Sequence, residues 1–324
     1  MNGEVIISGG AINSPQLLML SGIGPKEELE KFGIDVIKDL PGVGQNLQDH
    51  VMTVIRYHYD EEYREQAVTM DKVVNILSDF KLFKDYLFKG KGYLSTSAVQ
   101  LNGFIHSNYS SNSFPDLQLY FLPGLDAFPY NFNYPENIYI DNECGDKEYY
   151  HDLANMDNIV TAIGLQHPES KGYVKLKSSD PFEYPLIQPN YLKEQIDVDR
   201  LIDGFRKLDA IMKQPPLNKL WDKRMDCKIY GDIDNDDKAL EQYIRDSILN
   251  IYHPIGTCKM GDIDKNEMAV VDNKLKVKVV RNLRVVDASI IPIQTSGNTQ
   301  VPVFMIGERA SHFIFEFRRN QRRT

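Results

Sequence analysis

Two short apolar runs at opposite ends of the chain constrain its fold more than anything between them. Glu4-Val5-Ile6-Ile7-Ser8 and Leu283-Arg284-Val285-Val286-Asp287 are both strand-length blocks dominated by β-branched and aliphatic residues. The first lacks polar alternation and reads as a strand covered on both faces, in the manner of a central parallel strand. Each run leads into a helix signal. After the first, Gly9-Gly10-Ala11 predicts a tight turn, Ser14 and Pro15 an N-cap and first helical residue, residues 16–21 the helix, and Gly22 its end. Residues 26–32 predict a second short helix stopped by Gly33. After the second run, residues 298–313 read as a turn and a helix, with Pro302 in the first turn and Ile306, Ala310 and Phe313 at helical spacing. Two ends of one texture point to one domain built from both.

Between about residues 51 and 196 the texture changes. Thr53-Val54-Ile55-Arg56-Tyr57-His58-Tyr59, Leu117-Gln118-Leu119-Tyr120-Phe121 and Gly172-Tyr173-Val174-Lys175-Leu176-Lys177 read as strands of a mixed or antiparallel sheet. Residues 197–212 predict a helix with Val198, Leu201, Ile202, Phe205, Leu208 and Ile211 on its apolar face. The expected fold class is therefore α/β, α+β overall. Residues 1–50 and 251–324 form part of a doubly wound domain, and residues 51–250 form an inserted domain with a mixed or antiparallel sheet and helices.

Composition bounds the function classes. The chain has 324 residues, 42% hydrophobic and 26% charged, which suits a folded protein with room for one large or two ordinary domains. Its net charge of -9 argues against a nucleic-acid binder. Arg318, Arg319, Arg322 and Arg323 read as a frayed, solvated tail. The acidic run from Asp232 to Asp237 reads as a solvated loop without the spacing of an EF-hand. Cys144, Cys227 and Cys258 have neither zinc spacing nor a disulfide pattern, so no metal is expected and the compartment stays open. No apolar run reaches the roughly 18 residues needed to span a bilayer, and the first residues lack a basic n-region.

The stretch richest in chemistry is Tyr252-His253-Pro254-Ile255-Gly256-Thr257-Cys258-Lys259-Met260-Gly261. A histidine followed by proline is held to a restricted part of backbone space. A second block runs Val286-Asp287-Ala288-Ser289-Ile290-Ile291-Pro292, then Ser296-Gly297-Asn298-Thr299-Gln300-Val301-Pro302, to Gly307-Glu308-Arg309-Ala310. A third opens the chain: Gly10-Ala11-Ile12-Asn13-Ser14-Pro15-Gln16-Leu17-Leu18, Ser21-Gly22-Ile23-Gly24-Pro25, and Leu40-Pro41-Gly42-Val43-Gly44-Gln45-Asn46-Leu47-Gln48-Asp49-His50. With these blocks, and weaker phrasing at His167-Pro168-Glu169-Ser170-Lys171-Gly172 and Asp180-Pro181, the chain resembles the glucose-methanol-choline oxidoreductase family, in its animal glucose-dehydrogenase-like branch.

The resemblance implies FAD as cofactor and oxidation of an alcohol or sugar, with hydride passing from the carbinol carbon to flavin N5. The two chain ends then belong to the FAD-binding domain and the middle to the substrate domain. His253 matches the catalytic histidine, and Asn298 the second active-site position. The pair is chemically sensible. Imidazole, with an unperturbed pKa of about 6.5, can take the hydroxyl proton, and an amide N–H can stabilise the alkoxide without competing for that proton. Ala11, Asp287 and Ala288 fall where the family approaches the pyrophosphate and ribityl chain, and Gln300 and Val301 lie by the isoalloxazine. Tyr252 is a candidate wall of the substrate pocket. Asp49 and His50 are read as structural supports. The electron acceptor is a quinone or oxygen.

The G-x-G-x-x-G turn that grips the adenine half of FAD is absent. Gly22-Ile23-Gly24 has Glu27 in the last glycine position, and Gly42-Val43-Gly44 has Leu47 there. The expectation is an N-terminally shortened enzyme in which residues 4–8 lack sheet partners and which alone binds FAD weakly or not at all. Members resembling this chain pair a cysteine matching Cys227 with one in the segment holding Glu241, Gln242 and Tyr243; here that position is Gln242. Secretion is expected only if an upstream segment carries a signal peptide. Two other readings stand: a catalytically dead remnant serving as a binding or structural protein, and a same-fold lyase. An upstream G-x-G-x-x-G would favour the enzyme over the remnant.

Overall fold

The computed structural model describes residues 3–64, 80–91, 95, 99, 101–110, 113–123, 158–225 and 228–321. Cys144 and Cys227 lie outside the described residues. The chain divides into two compact units: Met1–His50 with Gln166–Glu194 and Asn250–Thr324, and Val51–Leu165 with Gln195–Leu249. Both chain ends thus share a unit. Residues 166–194, which the sequence pattern placed in the middle domain, join them.

In the first unit, β1 (Val5–Ile7) runs into α1 (Gly10–Leu20), then β2 (Ile23–Gly24), α2 (Lys26–Lys31), β3 (Lys38–Asp39) and β4 (Gln45–Leu47). β2 and β3 pair in parallel. The core joins Leu18, Met19, Leu29, Leu40 and Val43 to Leu176, Val270, Val271, Val285 and Ile290. Burying each such side chain stabilises by about 1.5–3 kcal/mol against leaving it in water. Cys258 lies in this core, and burial pushes its thiol well above the usual range.

Helix α1 starts earlier than its capping residues predict. Ser14 and Pro15 were expected to open it, yet the helix begins at Gly10 and Pro15 lies inside. Proline lacks the N–H that would reach the Ala11 carbonyl one turn back. The Thr257 hydroxyl donates to that carbonyl instead, at 2.6 Å, and the Ser14 hydroxyl turns back to accept from the Gly9 N–H at 2.9 Å.

In the second unit, β5 (Val51–Tyr59) is followed by α3 (Glu61–Arg64), α4 (Phe80–Lys89), β6 (Leu101–Ile105), β7 (Leu117–Pro123) and β8 (Asn158–Leu165). The chain then returns to the first unit for β9 (Gly172–Lys175) and β10 (Leu186–Gln188). β9 pairs antiparallel with both β4 and β10, which is why 166–194 belongs with the chain ends. Next come α5 (Gln195–Met212), β11 (Trp221–Arg224), α6 (Asp237–Asp246) and β12 (Leu249–Asn250). The second unit's sheet runs β11-β5-β8-β7-β6, antiparallel throughout.

Every residue of β8 is buried. Helix α5 covers this sheet with Val198, Leu201, Phe205 and Leu208, while Ile202 and Ile211 are half-buried. At Gly204 an added Cβ would lie 2.7 Å from Ile163 and 2.9 Å from Leu117, so glycine is what lets the helix sit this close. The acidic loop is a turn and a cap: the Asp232 carboxylate accepts from the backbone of Asp234 and Asn235, and Asp236 caps α6 by accepting from the Lys238 N–H.

The last elements return to the first unit: β13 (Leu283–Val285), a helical turn at Ala288–Ile290, and α7 (Gln300–Gln321). β13 pairs in parallel with β1, Ile7 opposite Val285, so residues 4–8 have a sheet partner within the chain, against the expectation that they lack one. Buried Arg284 is held by Glu4 and by the Lys274 carbonyl. The expectation that residues 4–8 are covered on both faces is corrected: Val5 is 61% exposed and Ile6 38%. Among the described residues β1 has one strand neighbour, so nothing extends the sheet past it. Of the expected frayed tail, Arg318 and Arg319 are instead exposed residues of α7, while Arg322 and Arg323 lie outside the described residues.

Candidate active site

The histidine stretch is positioned by a short antiparallel bridge. Gln48 pairs with Ile255 through both backbone hydrogen bonds, at 3.2 and 2.9 Å. Gly256 permits it: its φ is +93°, and a Cβ there would lie 2.4 Å from the Asn46 carbonyl oxygen, so a side chain would push the two segments apart. Gly44, with φ +79°, does the same against β9, where a Cβ would lie 2.2 Å from the Val174 carbonyl oxygen. Two residues onward from Gln48 and two back from Ile255, the same register sets His50 opposite His253.

The rings meet edge to face, with centroids 5.1 Å apart. Their Nδ1 atoms are 2.9 Å apart. His50 Nε2 lies 2.9 Å from the Thr295 carbonyl oxygen and 3.1 Å from that of Gln166. His253 Nε2 lies 3.2 Å from Asn298 Nδ2. His50 is buried, His253 half-buried and Asn298 exposed, so the chain of side chains runs from the interior to the surface. Burial, then the charge of His253, pulls the His50 pKa down to about 4; burial also lowers that of His253.

The backbone of His253 is clamped as firmly as its ring. Its N–H donates to the Asp49 carboxylate at 2.8 Å, and the Tyr191 hydroxyl donates to the other oxygen of that carboxylate at 3.0 Å. Asp49 is buried, and desolvation raises its pKa to about 6 against the lowering effect of these bonds. The His253 carbonyl accepts from Gln294 Nε2 at 3.0 Å, and Gln48 donates to the Pro292 carbonyl at 3.1 Å. Buried amides thus tie His253 and Gln48 to the segment that holds Pro292 and Gln294. Tyr252 has φ +58°, a left-handed conformation that costs a β-carbon residue about 1–3 kcal/mol, and its side chain is 78% exposed.

The cofactor candidates are placed as follows. The Asp287 carboxylate accepts from the Gly10 N–H at 3.0 Å, from the Ser289 N–H at 2.8 Å and from the Ser14 hydroxyl. It therefore holds the start of α1 against the Ala288 turn. The Ala11 side chain is buried and Ala288 is half-buried, each on one of two elements that pack together, α1 and the helical turn at Ala288–Ile290. Open space lies beside Gly10, where an added Cβ would meet nothing within 4 Å. Gln300 and Val301 are exposed at the start of α7. Among the described residues no cluster of His, Cys, Asp or Glu could hold a metal ion, and no helix is long and apolar enough to cross a membrane.

The sequence paired His253 with Asn298 and offered Asp49 and His50 as structural supports, but it did not place His50 against His253 and did not reveal Gln48, Gln294 and Tyr191 as further supports. Asp49 and His50 carried a usable signal: an adjacent acid and imidazole in a glycine-bounded segment.

A model of the GMC oxidoreductase family matches residues 168–307, and a second matches residues 1–52. An oxygen-dependent choline dehydrogenase of Pseudomonas syringae pv. tomato is 37% identical over 311 residues, covering 96% of this chain and 49% of that protein. The mitochondrial choline dehydrogenase of Homo sapiens is 36% identical over 311 residues, covering 96% and 47%. An alcohol dehydrogenase [acceptor] of Pseudomonas putida is 36% identical over 319 residues, covering 97% and 51%. Among solved structures, a formate oxidase of Aspergillus oryzae studied for FAD modification superposes with TM-score 0.75 at 28% identity, over 96% of this chain and 54% of that one. A fungal aryl-alcohol oxidase shares the fold, with TM-score 0.71 at 23% identity, over 97% and 55%. The chain spans about half the length of the curated relatives it matches.

Proposed function

Since this chain belongs to the GMC oxidoreductase family, we propose that it carries the catalytic portion of an FAD-dependent oxidoreductase acting on the CH–OH group of an alcohol or sugar. The observation that carries this is the convergence of His253 Nε2 and Asn298 Nδ2, 3.2 Å apart at the exposed end of a buried network. A substrate hydroxyl that displaces this direct contact gives its proton to the imidazole and accepts a hydrogen bond from the amide. The proton leaves to His253 while Asn298 stabilises the alkoxide, the state from which hydride departs most readily.

FAD supplies the hydride acceptor when bound. The residues present fit its reacting end. The backbone beside Gly10 is open at the start of α1, which leaves room for the cofactor to come close to the main chain. Gly10, Ala11 and Ala288 would hold the phosphate and ribityl region, with Asp287 keeping α1 in place. Gln300 and Val301 would face the ring. Tyr252 would wall the substrate space. Names of relatives that oxidise choline and other alcohols support the alcohol class. The animal glucose-dehydrogenase-like branch keeps sugars within the proposal, and a quinone or oxygen takes the electrons.

The test is a fusion of this chain to the part of the Pseudomonas syringae relative that lies outside their match, which would supply the missing glycine turn. Choline, aryl alcohols and sugars are then screened with a dye acceptor, with and without oxygen. Turnover with a member of the panel is expected. A flavin-loaded fusion inert to every alcohol would refute the proposal.

A further inference from the structure

We propose that His50 is a positioning residue that sets the tautomer of His253, keeping a proton on its Nδ1 and leaving its Nε2 bare beside Asn298. This rests on the reading of His253 as the group that takes the substrate proton. The argument starts at the far side of His50. Its Nε2 faces the carbonyl oxygens of Thr295 at 2.9 Å and Gln166 at 3.1 Å. Carbonyl oxygens only accept, so Nε2 must carry the hydrogen. The ring is 1% exposed, and burial with the neighbouring His253 pulls its pKa down to about 4, which leaves it neutral near pH 7. A neutral imidazole with hydrogen on Nε2 has a bare Nδ1.

The group 2.9 Å from that bare nitrogen is His253 Nδ1. It has to donate, because two lone pairs facing each other in a buried site would forfeit a hydrogen bond and cost about 1–3 kcal/mol. His253, its own pKa lowered by burial, is then neutral with hydrogen on Nδ1 and a lone pair on Nε2. The Asn298 amide, 3.2 Å from Nε2, donates to that lone pair. Every donor along the line finds an acceptor, the His50 Nε2–H being shared between two backbone carbonyls, as far as the substrate face. Reversing the tautomers leaves the carbonyls facing a lone pair and points the His253 base inward. Neutral histidine in water prefers hydrogen on Nε2, so the fold supplies the opposite form, with the lone pair where the substrate hydroxyl arrives.

Two substitutions separate this role from simple packing. His50→Asn places an amide oxygen where Nδ1 stands, keeping the acceptor for His253. His50→Gln reaches the two carbonyls with its amide nitrogen but offers no acceptor at the Nδ1 position. The readout is the pair of 15N imidazole shifts of His253 in 15N-histidine-labelled full chain near pH 7, which needs neither flavin nor turnover. Hydrogen on Nδ1 is expected in the parent and in His50→Asn, and a shift toward the Nε2–H form in His50→Gln. A parent His253 protonated on Nε2 would overturn the proposal, and that result stands even if a variant fails to fold. An unchanged tautomer in folded His50→Gln would overturn it too. Failure here would leave the enzyme reading intact, because alcohol-dependent flavin reduction in the fusion is a separate observation.

Discussion

Asp49 and His50 are neighbours in sequence, both are buried, and their titrations pull stability in opposite directions. His50 titrates near 4 in the folded chain against 6.5 unfolded. Its contribution is present above the unfolded value and is lost as pH falls toward 4. Asp49 titrates near 6 against 3.8 unfolded, so its contribution is present below 3.8 and is lost as pH rises toward 6. Each is worth about 3 kcal/mol at most, and the two largely offset each other. Replacing Asp49 with asparagine removes one of them while keeping an acceptor for the His253 N–H. Urea unfolding of Asp49→Asn should therefore gain stability more steeply than the parent as pH rises from about 4 to 6.5. Equal slopes would show that the Asp49 carboxyl is not held protonated by burial. That His253 and Asn298 lie together was legible in the sequence because their segments carry recognisable motifs. The supports were not, since the contact between His50 and His253 depends on the register of a bridge between segments far apart in the chain.

At the scale of elements, apolar patterning identified α5, β5, β7 and β9, although burial alternates only along β9 among these strands, and β5 and β7 are buried almost continuously at their starts. It failed where tertiary groups replaced local ones. Ser14-Pro15 has the form of a helix start, but the Thr257 hydroxyl repairs the hydrogen bond that Pro15 cannot make, so α1 begins a turn earlier. β1 has the composition of a covered strand, yet coverage belongs to its neighbours and not to its own residues. The close approach of α5 to the sheet was equally invisible, because Gly204 in a helix reads only as a weak position. Gly204→Leu should destabilise the chain by about 1–3 kcal/mol, seen as a Tm lower by several degrees in thermal unfolding. An unchanged Tm would mean that α5 does not press on Ile163 and Leu117 as described.

For the whole molecule, the residues for proton removal and those for gripping the nucleotide are separable. On the proposed function the chain carries the first set, His253 and Asn298, while no G-x-G-x-x-G is present in its sequence. Titrated alone with FAD, it should bind weakly or not at all, with little change in flavin fluorescence; stoichiometric binding would contradict this. The central claim, that His253 is the base of an alcohol-oxidising site, is tested most directly by anaerobic stopped-flow reduction of the flavin-loaded fusion, with and without His253→Ala. The account predicts that the substitution leaves flavin bound and slows alcohol-dependent bleaching by about 10²–10⁴-fold. Bleaching at the parent rate in His253→Ala would contradict it.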